Sequence, residues 1–231
     1  MKRIISALKI EAGKNIDPDD TLLIFDEIQE VPRALTALKY FAEEAPEYAI
    51  CCAGSLLGVT LHGGTSFPVG KVEFLTINPM SFDEFLMANG EEMLVEWSKK
   101  HYSEEMPAML SEKYMDYLKK YFIIGGMPSA VAAWIESKDF SEVTERQKRL
   151  LLSYENDFSK HAPKETVPRI QMVWNSIPGQ LAKENRKFIY SVVRPGARAR
   201  EYEDSLIWLE QAGLIHKVYN VSTPKIPLKV Y

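Results

Sequence analysis

Several things are scarce in this 231-residue chain, and each scarcity removes a class of function. There are only two cysteines, Cys51 and Cys52, and they are adjacent. Neighbouring side chains on a strand face opposite ways, so a disulfide between them would be strained. A disulfide scaffold is excluded, and the pair reads as two small buried thiols of a reducing compartment. The four histidines (His62, His101, His161 and His216) are scattered without metal-ligand spacing. No apolar run approaches the roughly 18–20 residues that cross a bilayer. The basic start, Met1 to Ile10, is interrupted by Ser6 and Lys9 before a signal-peptide core is complete. It reads instead as an amphipathic helix with Ile4, Ile5 and Leu8 on one side, and the expected location is the cytoplasm. A net charge of -4 gives no overall pull toward nucleic acid, so any DNA contact needs a local basic patch.

What is present is a folded-protein composition, 46% hydrophobic and 26% charged, which is enough to bury a core. Thr21 to Phe25 is a buried-strand run after the turn residues Asp17-Pro18-Asp19-Asp20. Pro32 suits the first turn of a helix that carries Leu35, Leu38, Phe41 and Ala42 on one face. Tyr48 to Ala53 and Val72 to Ile77 are two further strand-like runs, with a Gly- and Thr-rich loop from Gly58 to Gly70 between them. Strands separated by a helix in this rhythm imply parallel pairing. Three strands are few for a parallel sheet, which implies a missing upstream portion.

From Ser81 the pattern becomes helical. Ser81 and Glu84 have capping-box spacing, and Gly125-Gly126-Met127-Pro128 is a stop-and-turn between helices. Tyr114, Tyr117, Tyr121 and Phe122 recur at helical spacing, as core residues do. A last module from Pro163 has helices near 167–183 and 198–211, then a strand-like Leu214 to Val221, the outline of a winged helix. The expected fold class is α/β followed by mostly α. It comprises a partial P-loop-type parallel sheet over residues 1–85, a helical region over 86–162 and a winged-helix-like module over 163–231.

The apolar strand 22–25 ends in Asp26-Glu27. At the C-terminal end of a parallel strand two carboxylates sit where α/β sheets bind ligands. In nucleotide hydrolases the Asp of such a pair holds magnesium, usually through water, and the Glu orients the attacking water. A strand that simply ends in two solvated acids explains the hexapeptide equally well. Ser55 has no neighbouring His and Asp in the sequence, so a serine-hydrolase nucleophile is not supported.

A longer pattern favours the first reading. Ile24-Phe25-Asp26-Glu27-Ile28-Gln29 resembles the FDEIQ signature of a prokaryotic ATPase family that pairs an AAA-type domain with a C-terminal domain of unknown function, DUF4143. Ala53-Gly54-Ser55 is similar to its TGS turn, Gly70-Lys71 to its GR segment, and Asn78-Pro79-Met80-Ser81-Phe82-Asp83-Glu84-Phe85 to its PLSFEEF segment. Gly125-Gly126-Met127-Pro128 is similar to its GGxP turn, so the motifs run in the expected order along the whole chain. The resemblance implies a Walker B pair, with Asp26 on ATP-bound magnesium, Glu27 on water, Ser55 as γ-phosphate sensor and Lys71 near the nucleotide. Lys71 stands where the family often has arginine, and a lysine supplies a point charge without the planar fork. No G-x-x-x-x-G-K-[ST] occurs anywhere in the sequence, so the phosphate cradle is lacking. The expectation is a fragment of an ATPase or molecular switch that cannot hydrolyse ATP alone. Its partner would be an upstream Walker A-bearing segment or another copy of itself.

The alternative is a DNA- or protein-binding module. Arg186, Lys187, Arg194, Arg198 and Arg200 occur with no acid between Glu184 and Glu201. They fit either phosphate contact or a solvated surface that offsets acidic neighbours. Glu201, Glu203, Asp204 and Glu210 on the following helix tilt the reading toward the solvated surface.

Overall fold

The computed structural model describes residues 2–54, 70–184, 187–219 and 221. The chain forms two compact units, one made of Met1–Phe74 with Ala162–Tyr231 and the other of Leu75–His161.

In the N-terminal part of the first unit, helix α1 (Lys2–Ala12) precedes strand β1 (Leu22–Phe25), helix α2 (Pro32–Glu44) and strand β2 (Ala49–Cys52). The two strands pair in parallel, Leu22 beside Ala49 through Phe25 beside Cys52, as expected for strands joined by a helical crossover. Residues alternate across the sheet. Leu23, Phe25, Ile50 and Cys52 face α2 and α1, packed with Phe41, Ile5, Leu35 and Leu38. On the opposite face Leu22, Ile24, Ala49 and Cys51 are exposed. The thiols therefore differ from the expected buried pair: Cys51 is exposed and Cys52 half-buried, its thiol pushed up by burial and then by Cys51.

The expected third strand is not there. Residues 72–77 are not part of a strand, and Phe74, Leu75 and Ile77 are exposed. These side chains suit a pleated surface, but a strand exists only where a neighbour supplies its hydrogen bonds.

The second unit is all helix: α3 (Phe82–Ala88), α4 (Glu92–Lys100), α5 (Ala108–Ile124), α6 (Pro128–Ser137) and α7 (Phe140–His161). The capping box forms as its spacing predicts: Glu84 N–H donates to Ser81 Oγ at 3.3 Å, and Ser81 N–H donates to Glu84 Oε2 at 2.7 Å. The Ser81 N–H and, at 2.8 Å, the Ser81 hydroxyl both donate to the Glu84 carboxylate and hold it below its ordinary range. Phe85, Ile124, Ala130, Val131, Trp134 and Val143 make the core, flanked by Tyr117 and Tyr121; Phe122 of the same aromatic set is instead 77% exposed, on the far side of its helix. The compact unit begins at Leu75. Two sequence motifs meet here. Met80 N–H donates to Gly126 O at 2.7 Å, and Tyr121 Oη–H donates to Met80 O at 2.7 Å. A Cβ at Gly126 would stand 2.2 Å from Met80 O, so only glycine allows the approach.

The C-terminal part of the first unit holds α8 (Val167–Leu181), the single turn α9 (Tyr190–Val193) and α10 (Ala199–Gln211). Ile170 and Val173 of α8 and Tyr202 and Leu209 of α10 are buried, and the two helices pack together. Residues 214–219 form no strand, so the described residues contain no wing.

Candidate functional site

The parallel ladder brings the C-terminal ends of β1 and β2 side by side, and main-chain bonds continue past them. Ala53 N–H donates to Phe25 O at 2.9 Å, and Ile28 N–H donates to Ala53 O at 3.1 Å. Asp26 and Glu27 emerge at this tied edge, both exposed. Glu27 has φ 48° and ψ 44°, the left-handed region, which non-glycine residues adopt at a cost of roughly 1–3 kcal/mol where the surroundings over-determine it. Three contacts impose it. Asp26 Oδ1 accepts the Glu27 N–H at 3.0 Å, buried Ile28 begins a single 3₁₀ turn, and Gln29 Nε2 donates to Glu27 Oε2. The sharp reversal lifts the Glu27 carboxylate out of the strand direction and lets α2 start at Pro32.

Gln29 is the residue that the sequence reading missed. It is 9% exposed, and its Oε1 has no hydrogen-bond partner among the described residues. A buried amide with one end on the Glu27 carboxylate and the other unsatisfied is a positioning group. The sequence signal was its place as the last residue of the FDEIQ-like segment, two residues after the acid.

The other expected site residues are distributed differently. Ser55 lies outside the described residues. Lys71 places Nζ 3.6 Å from Glu43 Oε1 near the end of α2, and that is its ion pair. Lys187, Arg194, Arg198 and Arg200 are all exposed in the C-terminal part, while Arg186 and His62 lie outside the described residues.

Asp26 has one oxygen committed to the main chain and the other available, and no set of three His, Cys, Asp or Glu residues able to hold a metal occurs among the described residues. One or two carboxylates with water and substrate phosphate are what magnesium takes, so the donor set fits magnesium carried by a nucleotide rather than a resident ion.

Residues 2–86 match the AAA domain family. Residues 115–230 match a domain of unknown function, DUF8612, where the resemblance implied DUF4143. None of the curated proteins compared matches the chain. Among solved structures, the Walker-type ATPase PABY2304 of Pyrococcus abyssi is similar over 91% of this chain and 60% of that chain, with 16% identity and a TM-score of 0.50. At that identity the likeness is one of fold, and the chain spans about 60% of that ATPase's length. No described helix is long and apolar enough to cross a membrane. Residues 2–86 are therefore similar to the AAA domain family, and the fold of the chain is similar to that of a Walker-type ATPase. Because the C-terminal match covers just over half of the sequence, the chain belongs to the DUF8612 family.

Proposed function

We propose that Asp26 and Glu27 form the magnesium- and water-handling arm of an ATP site, the Walker B pair of an AAA-type ATPase or switch. The observation that supports this is the strained, tied turn at the strand ends, which holds two carboxylates exposed on adjacent residues. Asp26 offers an oxygen to a magnesium ion, which when bound neutralises phosphate charge. Glu27, whose Oε2 accepts from Gln29, is the carboxylate that orients a water in this reading. Ser55 and Lys71 are the sensor and nucleotide-side cation in this reading, and Lys71 must leave Glu43 to act.

The sequence contains no G-x-x-x-x-G-K-[ST], so polypeptide outside these residues supplies the phosphate cradle, and this chain alone does not turn ATP over. Titration with Mg-ATP by calorimetry is expected to show no saturable binding tighter than about 1 mM; tighter binding overturns the missing cradle. Titrating the 15N-labelled chain with Mn2+ tests the pair itself. Broadening centred on the amides of residues 26–29 and lost in Asp26→Asn is expected. Broadening spread evenly over acidic surface would return Asp26 and Glu27 to two solvated acids.

A further inference from the structure

The basic segment ahead of α10 has no part in the nucleotide reading, and its geometry is specific. Gln180 of α8 is buried and anchors it: Oε1 accepts the Ile189 N–H at 2.6 Å, and Nε2 donates to Ser176 Oγ at 3.1 Å. After α9 the chain reverses at Arg194-Pro195-Gly196-Ala197. Ala197 N–H donates to Arg194 O at 3.0 Å, and Gly196 has φ 78°, a type II turn with proline and glycine in their preferred places. A turn of this kind brings its end Cα atoms within about 7 Å. That closes Arg194 onto Ala197; Arg198, the residue before α10, follows directly, and Arg200 lies in the first helical turn.

If these arginines served to offset acidic neighbours, ion pairs would show it. Glu201 instead accepts the Arg198 backbone N–H at 3.4 Å. Arg194, Arg198 and Arg200 are exposed and make no ion pair among the described residues. Three guanidiniums without an ion pair among the described residues, on an anchored turn and the first turn of the helix that follows, form a cationic edge.

We propose that this turn is a phosphate-contacting surface for duplex DNA that binds the backbone without reading bases. Planar guanidinium forks match phosphate oxygens. The acids Glu203, Asp204 and Glu210 on α10 oppose laying that helix into a groove, which leaves the turn as the contact. Single-stranded nucleic acid needs open aromatic faces. Phe188 and Tyr190 are half-buried and set edge to face, with centroids 5.2 Å apart, so they provide none. A membrane surface would need a longer amphipathic helix than the four residues of α9.

The test is fluorescence anisotropy of the full chain with a labelled duplex of roughly 20 base pairs, long enough for three or four phosphate contacts. Affinity is expected to fall on the order of 40–150-fold between about 50 and 200 mM salt. Arg194→Ala with Arg198→Ala should lower the salt slope by about 2 and weaken binding by at least about tenfold at low salt. Both positions are exposed, and an unchanged helical circular dichroism spectrum verifies that α10 persists. Duplexes of different sequence should bind within about twofold of one another. No saturable binding at low salt, an unchanged slope in the double variant, or stronger competition by single-stranded DNA or phosphatidylserine vesicles would each overturn the proposal. None of these readouts involves ATP, so they stand or fall apart from the nucleotide site.

Discussion

The two-stranded sheet and the helical unit bury their apolar residues to very different degrees. In the helical unit Phe85, Leu86 and Phe158 are 0% exposed. On the sheet, Leu22 is 55% and Ile24 66% exposed, although the strand is as apolar as any segment of the chain. Helices that close on one another complete their own core, whereas a parallel sheet is stable only with cover on both faces. The helical unit closes a core around Phe85, although Phe122 on its surface is 77% exposed, and the outer face of the sheet is without cover among the described residues.

Substitution at the two extremes would break this comparison most directly. Phe85→Ala should cost about 3–5 kcal/mol in urea unfolding, while Ile24→Ala should change stability by no more than about 0.5 kcal/mol. A cost of several kcal/mol at Ile24 would mean that the outer face is covered in solution, and the contrast would fail.

Gly126→Ala should cost about 1–3 kcal/mol, because the new methyl meets Met80 O and the backbone must shift. Gly179→Ala, inside α8 with open space around the Cβ position, should be neutral or stabilise by up to about 1 kcal/mol. Thermal or urea unfolding of both variants measures this difference in sign.

The smallest effect is a pH dependence confined to the helical unit. At Glu91, burial raises the carboxyl, but Lys113 Nζ at 2.5 Å and the Tyr117 hydroxyl at 2.9 Å outweigh it and leave it below the ordinary 4.5. A depressed carboxyl stabilises the fold above its unfolded value, and that contribution disappears as the pH falls through the folded value. Wild type should therefore exceed Glu91→Gln in stability at neutral pH, with the gap closing in acid below 4.5. The Tyr117 hydroxyl is pushed up to about 12, by burial first and then by Glu91. Its contribution is fully present below 10 and is lost as the pH rises toward 12. Unfolding curves across pH for the wild type and Glu91→Gln measure both limbs.

Much of this fold was readable locally. The helices from Phe82 onward follow from apolar spacing, the Ser81 cap and the glycine-proline turn, because helical hydrogen bonds close within a few residues. β1 and β2 were readable as apolar runs separated by a helix. The segment 72–77 was misjudged for the same reason: propensity was present, but the ladder partner is a tertiary matter. Asp26 and Glu27 stood out as acids at a strand end, yet the αL turn that presents Glu27, and Gln29 beneath it, required backbone geometry. The arginines were visible as a cluster. Their freedom from ion pairs was not, since nearness in sequence to Glu201 and Asp204 suggested the opposite.

By itself the sequence determined where the helices run, where the first two strands lie, which strand ends in paired carboxylates, and that a phosphate cradle is not among these residues. Each of those depends on periodicity or on the identity of neighbours a few positions apart. Tertiary structure alone decided which face of the sheet is exposed among the described residues, that Met80 and Gly126 touch, that Lys71 rests on Glu43 and that Gln29 holds Glu27. It also decided that the turn at Arg194 presents uncommitted charge. Those facts depend on which distant segments meet, and no local pattern of residue types encodes that distance.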